Sequence, residues 1–129
     1  MDITHQILKL NLPADSFVVV GSGILNALGI RPANDIDMIV SPELFDRLAK
    51  AGWSKGSWVD QTVLAKGKFD IGQHWMGDGV DKLLQRATVI DGIPYLSLTD
   101  LLAWKIARAR PKDLADVQLI NDYVHKIQS

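Results

Sequence analysis

Short apolar runs, each cut by glycine, proline or aspartate, organise this chain. Phe17-Val18-Val19-Val20 is followed at once by Gly21-Ser22-Gly23, which predicts a buried strand ending in a tight loop. Residues 24–30 are apolar and predict a short helix, closed near Gly29 and Pro32. Residues 35–40, Asp-Ile-Asp-Met-Ile-Val, predict a second strand. Ser41-Pro42-Glu43 supplies an N-cap and a proline at the first helical position, for a helix running to about Ala51-Gly52. Residues 57–65 and 69–71 predict two strands around a tight turn at Lys66-Gly67-Lys68. Residues 78–86 predict a helix. Residues 88–90 and 93–95 flank an Asp-Gly turn and predict a small hairpin or extended edge. Two helices, over residues 97–109 and 111–126, close the chain. The expectation is one domain over residues 1–129, an α/β (α+β) fold with a mixed β-sheet flanked by helices and a C-terminal helical pair.

Composition narrows the chemistry. An apolar fraction of 47% and a charged fraction of 22% in 129 residues suit one globular domain with a real core. A formal net charge of -1 argues against a surface that grips nucleic acid everywhere, and leaves room for a local basic patch. With no cysteine, disulfides, thiolate zinc sites and cysteine nucleophiles are excluded. His5, His74 and His125 show no ligand spacing, and no Ser-His-Asp or Walker A pattern is present. The start, MDITHQILKL, lacks a signal-peptide pattern, and no apolar stretch would span a bilayer, so a cytoplasmic protein without a membrane partner is expected.

The acids are lopsided: fourteen Asp and a single Glu, Glu43. Aspartate favours turns and N-caps, and at this frequency about one or two Asp-x-Asp pairs arise by chance. The pair Asp35-Ile36-Asp37 therefore draws its meaning from context. On a strand both side chains leave by one face, and two carboxylates so close repel unless a cation sits between them. Magnesium suits such a place, because it takes oxygen ligands and bridges to phosphate. The preceding strand–Gly21-Ser22-Gly23–helix is a construction for holding anions, through close backbone approach and free helix N–H groups. A dinucleotide-binding reading fits poorly. The third glycine position is Asn26, the helix stops at Gly29-Ile30-Arg31-Pro32, and the acids arrive fourteen and sixteen positions after Gly21.

The stretch VVVGSGILNALGIRPANDIDMIVSPELFDRLAKAGW resembles the catalytic core of the polymerase-beta nucleotidyltransferase superfamily. Leu28-Gly29-Ile30-Arg31 and Arg110-Pro111-Lys112-Asp113 with Asp116 further resemble small, mostly uncharacterised bacterial members, so the resemblance covers roughly residues 15 to 120. It implies a nucleotidyltransferase fold and a nucleoside triphosphate such as ATP, held by Gly21 and Ser22. It also implies two Mg2+ ions bound by Asp35, Asp37 and a third carboxylate that helps deprotonate the acceptor hydroxyl. Asp70 is the candidate for that third acid and Asp60 the competitor. The implied reaction moves a nucleoside monophosphate to an acceptor hydroxyl. The acceptor stays open among a small molecule such as an antibiotic, a transfer RNA end and a protein. An antitoxin-type or homo-oligomeric partner is compatible with it. The rival reading is a catalytically degenerate nucleotide-binding or partner-binding module of the same fold.

One cation belongs with these acids. At 100° per residue, Leu98, Leu101, Leu102, Ile106 and Ala109 form an apolar stripe with Lys105 near its middle. A buried ammonium needs a partner, so Lys105 either snorkels to the rim or reaches an anion, and it is the candidate third nucleotide-binding residue beside Gly21 and Ser22. Arg108, Arg110 and Lys112 add charge nearby. Asp113 and Asp116 read as dipole partners of the last helix, and Trp53, Trp58, Trp75 and Trp104 as core or interface anchors.

Overall fold

The computed structural model describes residues 3–128. In chain order the elements are α1 (Ile3–Lys9), β1 (Phe17–Val20), α2 (Gly23–Ala27), β2 (Ile36–Val40), α3 (Pro42–Lys50), β3 (Ser54–Trp58), β4 (Gln61–Lys66), β5 (Phe69–Gly72), α4 (Val80–Gln85), β6 (Thr88–Ile90), β7 (Ile93–Tyr95), α5 (Leu98–Arg108) and α6 (Pro111–Gln128). The strands form one seven-stranded mixed sheet in the order β3-β4-β5-β2-β1-β7-β6. Strands β1 and β2 run antiparallel, while β5 pairs parallel to β2 and β7 parallel to β1. All four residues of β1 are buried, as a strand covered on both faces requires. Among the described residues, no helix is long and apolar enough to cross a membrane.

Local signals explain much of this. Ser41 caps α3 by accepting from the Leu44 backbone N–H at 3.2 Å, with Pro42 at the first helical position. Ser97 caps α5 in the same way, accepting from Asp100 N–H at 3.1 Å. Helix α6 opens on a capping arrangement in which the Asp113 carboxylate reaches back to the Arg110 backbone N–H at 3.2 Å.

Three sequence expectations change. Residues 57–65 are not one strand: β3 and β4 form a hairpin turning at Val59-Asp60, and Val59 stands fully exposed at its tip. Nothing was expected before β1, yet Ile3 and Ile7, one helical turn apart, bury the inner face of α1. The helix expected over residues 24–30 ends as α2 at Ala27, because Ile30 and Arg31 N–H both turn back to the Leu25 carbonyl, at 2.8 and 3.3 Å.

Candidate active site

Strand β2 sets the site. Asp37 lies opposite Val20, the last residue of β1, and opposite Asp70 on β5. Neighbouring strands lie about 4.8 Å apart, so Asp37 and Asp70 leave the same face of the sheet side by side. Asp35 precedes β2 on an exposed bend. The chain leaves β1 through Gly21, whose φ of 63° is costly for a residue with a side chain; a Cβ there would meet Asp37 Oδ2 at 3.1 Å. The backbone of the glycine loop therefore lies directly against the Asp37 carboxylate.

Electrostatics match this crowding. Burial, followed by the charges of Asp70 and Asp35, pushes the Asp37 carboxyl up from 3.8 to about 6. Burial and then the Asp35 charge also raise Asp70. Asp60, by contrast, sits exposed in the turn of the β3–β4 hairpin, outside the strand register that sets Asp70 beside Asp37. Among the described residues no three His, Cys, Asp or Glu side chains gather closely enough to hold a metal ion, so Asp35, Asp37 and Asp70 stand as an open set. Their donor chemistry is all oxygen, and their mutual repulsion is the kind that a divalent cation relieves.

Ser22 stands at the N-terminus of α2, yet its hydroxyl makes no capping hydrogen bond there. Instead it accepts from Arg31 Nη2 at 3.0 Å. The same guanidinium grips Asp116 with two bonds, Nε to Oδ1 at 2.6 Å and Nη2 to Oδ2 at 2.7 Å. Lys105 Nζ lies 2.7 Å from Asp116 Oδ2 and 3.7 Å from Asp113 Oδ1, and Arg110 Nε donates to Asp113 Oδ2 at 2.6 Å. Lys105, Asp113 and Asp116 are only 3%, 0% and 4% exposed. Lys105 thus reaches anions that belong to α6, and it does not snorkel. Asp113 and Asp116 are buried ion-pair partners, and Asp113 is also a first-turn acid of α6. The Arg110 guanidinium beside Asp113 holds its carboxyl below the usual range. Burial pushes Asp116 up, but the bonds from Arg31 and Lys105 outweigh it and hold Asp116 low.

These groups line a cleft of about 280 Å³ that brings together Gly21, Ser22, Asp35, Asp37 and Lys105, with Arg31 at its wall. Asp70 is set beside Asp37 by the strand register. A second cleft of about 640 Å³ joins the first at Asp37, Trp104, Arg110 and Lys112. Trp58, Trp75 and Trp104 stand along it half-buried, while Trp53 is the core tryptophan, packed on Phe69 with ring centroids 6.2 Å apart. The apolar stripe on α5 also stops short: Ile106 is 54% exposed and Ala109 lies outside, so α5 turns Trp104 and Arg108 towards the larger cleft.

Sequence reasoning gave Arg31 no part in the site beyond its place in Leu28-Gly29-Ile30-Arg31. The available signal was the recurrence of that motif with Arg110-Pro111-Lys112-Asp113 and Asp116, which the fold joins through one guanidinium.

No family model matches the chain, and no curated protein does. The fold is similar to the crystal structure of the aminoglycoside nucleotidyltransferase ANT(2″)-Ia in complex with adenylyl-2″-tobramycin. The TM-score is 0.56 at 17% identity, over 95% of this chain and 86% of that one. The chain thus has a mixed α+β fold, with a seven-stranded sheet and flanking helices, similar in structure to a nucleotidyltransferase.

Proposed function

We propose that this protein transfers a nucleoside monophosphate from a nucleoside triphosphate to an acceptor hydroxyl. The observation that carries the reading is the juxtaposition of Asp37 with Asp70 in strand register and with the Gly21 loop in direct contact. Acids placed against an anion-holding loop make sense where cations and phosphate meet, and little sense otherwise. The fold similarity supports the same class of chemistry.

In this reading Gly21 and Ser22 receive the phosphates, and Arg31 fixes the Ser22 hydroxyl so that it does not have to be ordered on binding. Asp35, Asp37 and Asp70 would hold magnesium, which would polarise the phosphate and neutralise charge in the transition state. Asp35, on its exposed bend, is the acid that closes the set with least cost to the sheet. Asp70 takes the proton of the acceptor hydroxyl, from its place beside Asp37 on the same face of the sheet. The acceptor oxygen bonds to the α-phosphorus as the bond to the pyrophosphate oxygen breaks, and pyrophosphate leaves.

The test uses a triphosphate labelled in the α-phosphate, incubated with magnesium and candidate acceptors. Label should pass to one acceptor with the wild type and fall by at least about a hundredfold with Asp70→Asn, within the range of losing general-base catalysis. Tight magnesium-dependent binding with no transfer to any acceptor would favour the binding-module alternative.

A further inference from the structure

The larger cleft has a chemistry of its own. Gly72 follows Asp70 by two positions on β5, so the two point to the same face of the sheet. A Cβ at Gly72 would lie 2.7 Å from Trp58 Cζ3 and 2.8 Å from Gln61 Oε1. The missing side chain at 72 is what lets the Trp58 ring settle on the acid-bearing face, one strand step from Asp70. Gln61 fixes the neighbouring loop from the same place, accepting from Gln73 N–H at 2.8 Å and donating to the His74 carbonyl at 2.7 Å. Trp75 and Trp104, on the same lining, pack with ring centroids 4.7 Å apart. Trp75 Nε1 is shut off from solvent with no hydrogen-bond partner among the described residues, a cost that a ligand acceptor could relieve.

Charge then narrows what fits between the rings. Arg108 lies over Trp104 at 4.9 Å and, with Lys112, brings positive charge to the cleft; Arg110 is tied to Asp113. Among the described residues, Asp37 and Asp60 are the only carboxylates on the lining. A polycationic acceptor would meet Arg108 and Lys112 and be repelled, whereas an anionic one carrying a flat ring meets attraction and a stacking surface.

Resting on the transfer reading, we infer that the tryptophan cleft is the acceptor site and takes a nucleotide: a base against Trp58, its phosphate towards Arg108 and Lys112, and a ribose hydroxyl towards Asp70. The same chemistry is offered by a free nucleotide and by the 3′ end of a single strand. A cleft of about 640 Å³ has room for more than a single nucleotide, which favours the strand end. A neutral aromatic acceptor, such as a tyrosine side chain, would use the rings without the cations.

The test measures binding, independent of turnover. A labelled single-stranded oligonucleotide with a free 3′ hydroxyl, and separately a nucleoside monophosphate, are titrated with magnesium into the full-length protein, Trp58→Leu, Trp58→Phe and Arg108→Glu. A non-hydrolysable triphosphate is titrated into each as the control for the glycine loop. The oligonucleotide should bind, and weaken about tenfold or more with Trp58→Leu, as loss of one stacked base implies. Trp58→Phe should recover most of the affinity, and Arg108→Glu, an exposed change that gives up the contact with Trp104, should weaken binding and flatten its salt dependence. Triphosphate affinity should stay the same throughout. Stronger binding of the monophosphate than of the oligonucleotide would make the free nucleotide the source. If neither nucleotide probe binds wild type, or if Arg108→Glu leaves binding unchanged while the triphosphate still binds, the acceptor assignment is overturned and the transfer reading survives. Failure of the triphosphate to bind wild type counts against the transfer reading itself.

Discussion

Arg31 and Asp116, 85 positions apart in the chain, are joined by two hydrogen bonds of 2.6 and 2.7 Å, and Arg31 carries that connection on to the Ser22 hydroxyl. The last helix and the glycine loop are therefore one mechanical unit. The planar fork of arginine suits such a junction, because it satisfies both carboxylate oxygens and still reaches a third group. A lysine ammonium on its flexible stem does this less well.

Arg31→Ala should lower stability by about 1.5–3 kcal/mol, the range for hydrogen bonds to charged groups, and Arg31→Lys should restore only part of it. Urea denaturation of the three proteins gives the comparison. Equal stability of wild type and Arg31→Ala would show that the fork holds nothing together.

Lys105 leads to a sharper expectation. Its ammonium is enclosed with Asp116 and Asp113, so Lys105→Met removes one cation from a buried, charged set. The loss should be about 3–5 kcal/mol, as for breaking a buried pair from one side. Adding Asp116→Asn should recover part of the loss, since the orphaned charge goes with it. A neutral Lys105→Met would mean that Arg31 and Arg110 satisfy both acids unaided.

The pH dependence of stability should carry the mark of Asp37. Its carboxyl is raised in the fold from 3.8 to about 6, so between these values the folded state holds a proton that the unfolded chain has given up. Stability therefore falls as pH rises from 3.8 towards about 6 and is flat above. Asp113 and Asp116 have the opposite sign: both are held low, and their contribution is lost as pH falls through those lowered values. Asp37→Asn should remove most of the decline, leaving the part that Asp70, also raised, contributes with the same sign, and gain up to about 3 kcal/mol at neutral pH, at 1.36 kcal/mol per pH unit. Chemical denaturation at a series of pH values reads this directly; a decline that persists undiminished in Asp37→Asn must come from other groups.

Much of the central fold was legible because its signals are local. The Val18–Val20 run, the Gly21-Ser22 loop and the Ser41-Pro42 cap each act within a few residues, and each formed where expected. The β3–β4 turn was hidden because Val59 continues the apolar-and-polar run through the turn, and no glycine breaks it there. Helix α1 is too short for its Ile3–Ile7 spacing to stand out. At the site, the Asp35–Asp37 spacing could be read directly, and the place of β5 after the Lys66-Gly67-Lys68 turn favoured Asp70 over Asp60. What could not be read was who partners Lys105 and Arg31, because those contacts depend on how α6 docks against the glycine loop. The same holds for the tryptophans: only the folded sheet shows Trp53 in the core and Trp58 seated on Gly72.

If the aspartates and the glycine loop form one metal-dependent phosphate site, triphosphate binding must depend on both the metal and Asp37. Calorimetric titration of a non-hydrolysable nucleoside triphosphate, with and without magnesium, into wild type and Asp37→Asn tests this most directly. Saturable binding to the wild type should require magnesium and weaken at least about tenfold in Asp37→Asn, the cost of about 1.4 kcal/mol of metal-bridged attraction. Binding that is the same with and without magnesium, and the same in Asp37→Asn as in wild type, would contradict a shared metal and phosphate site.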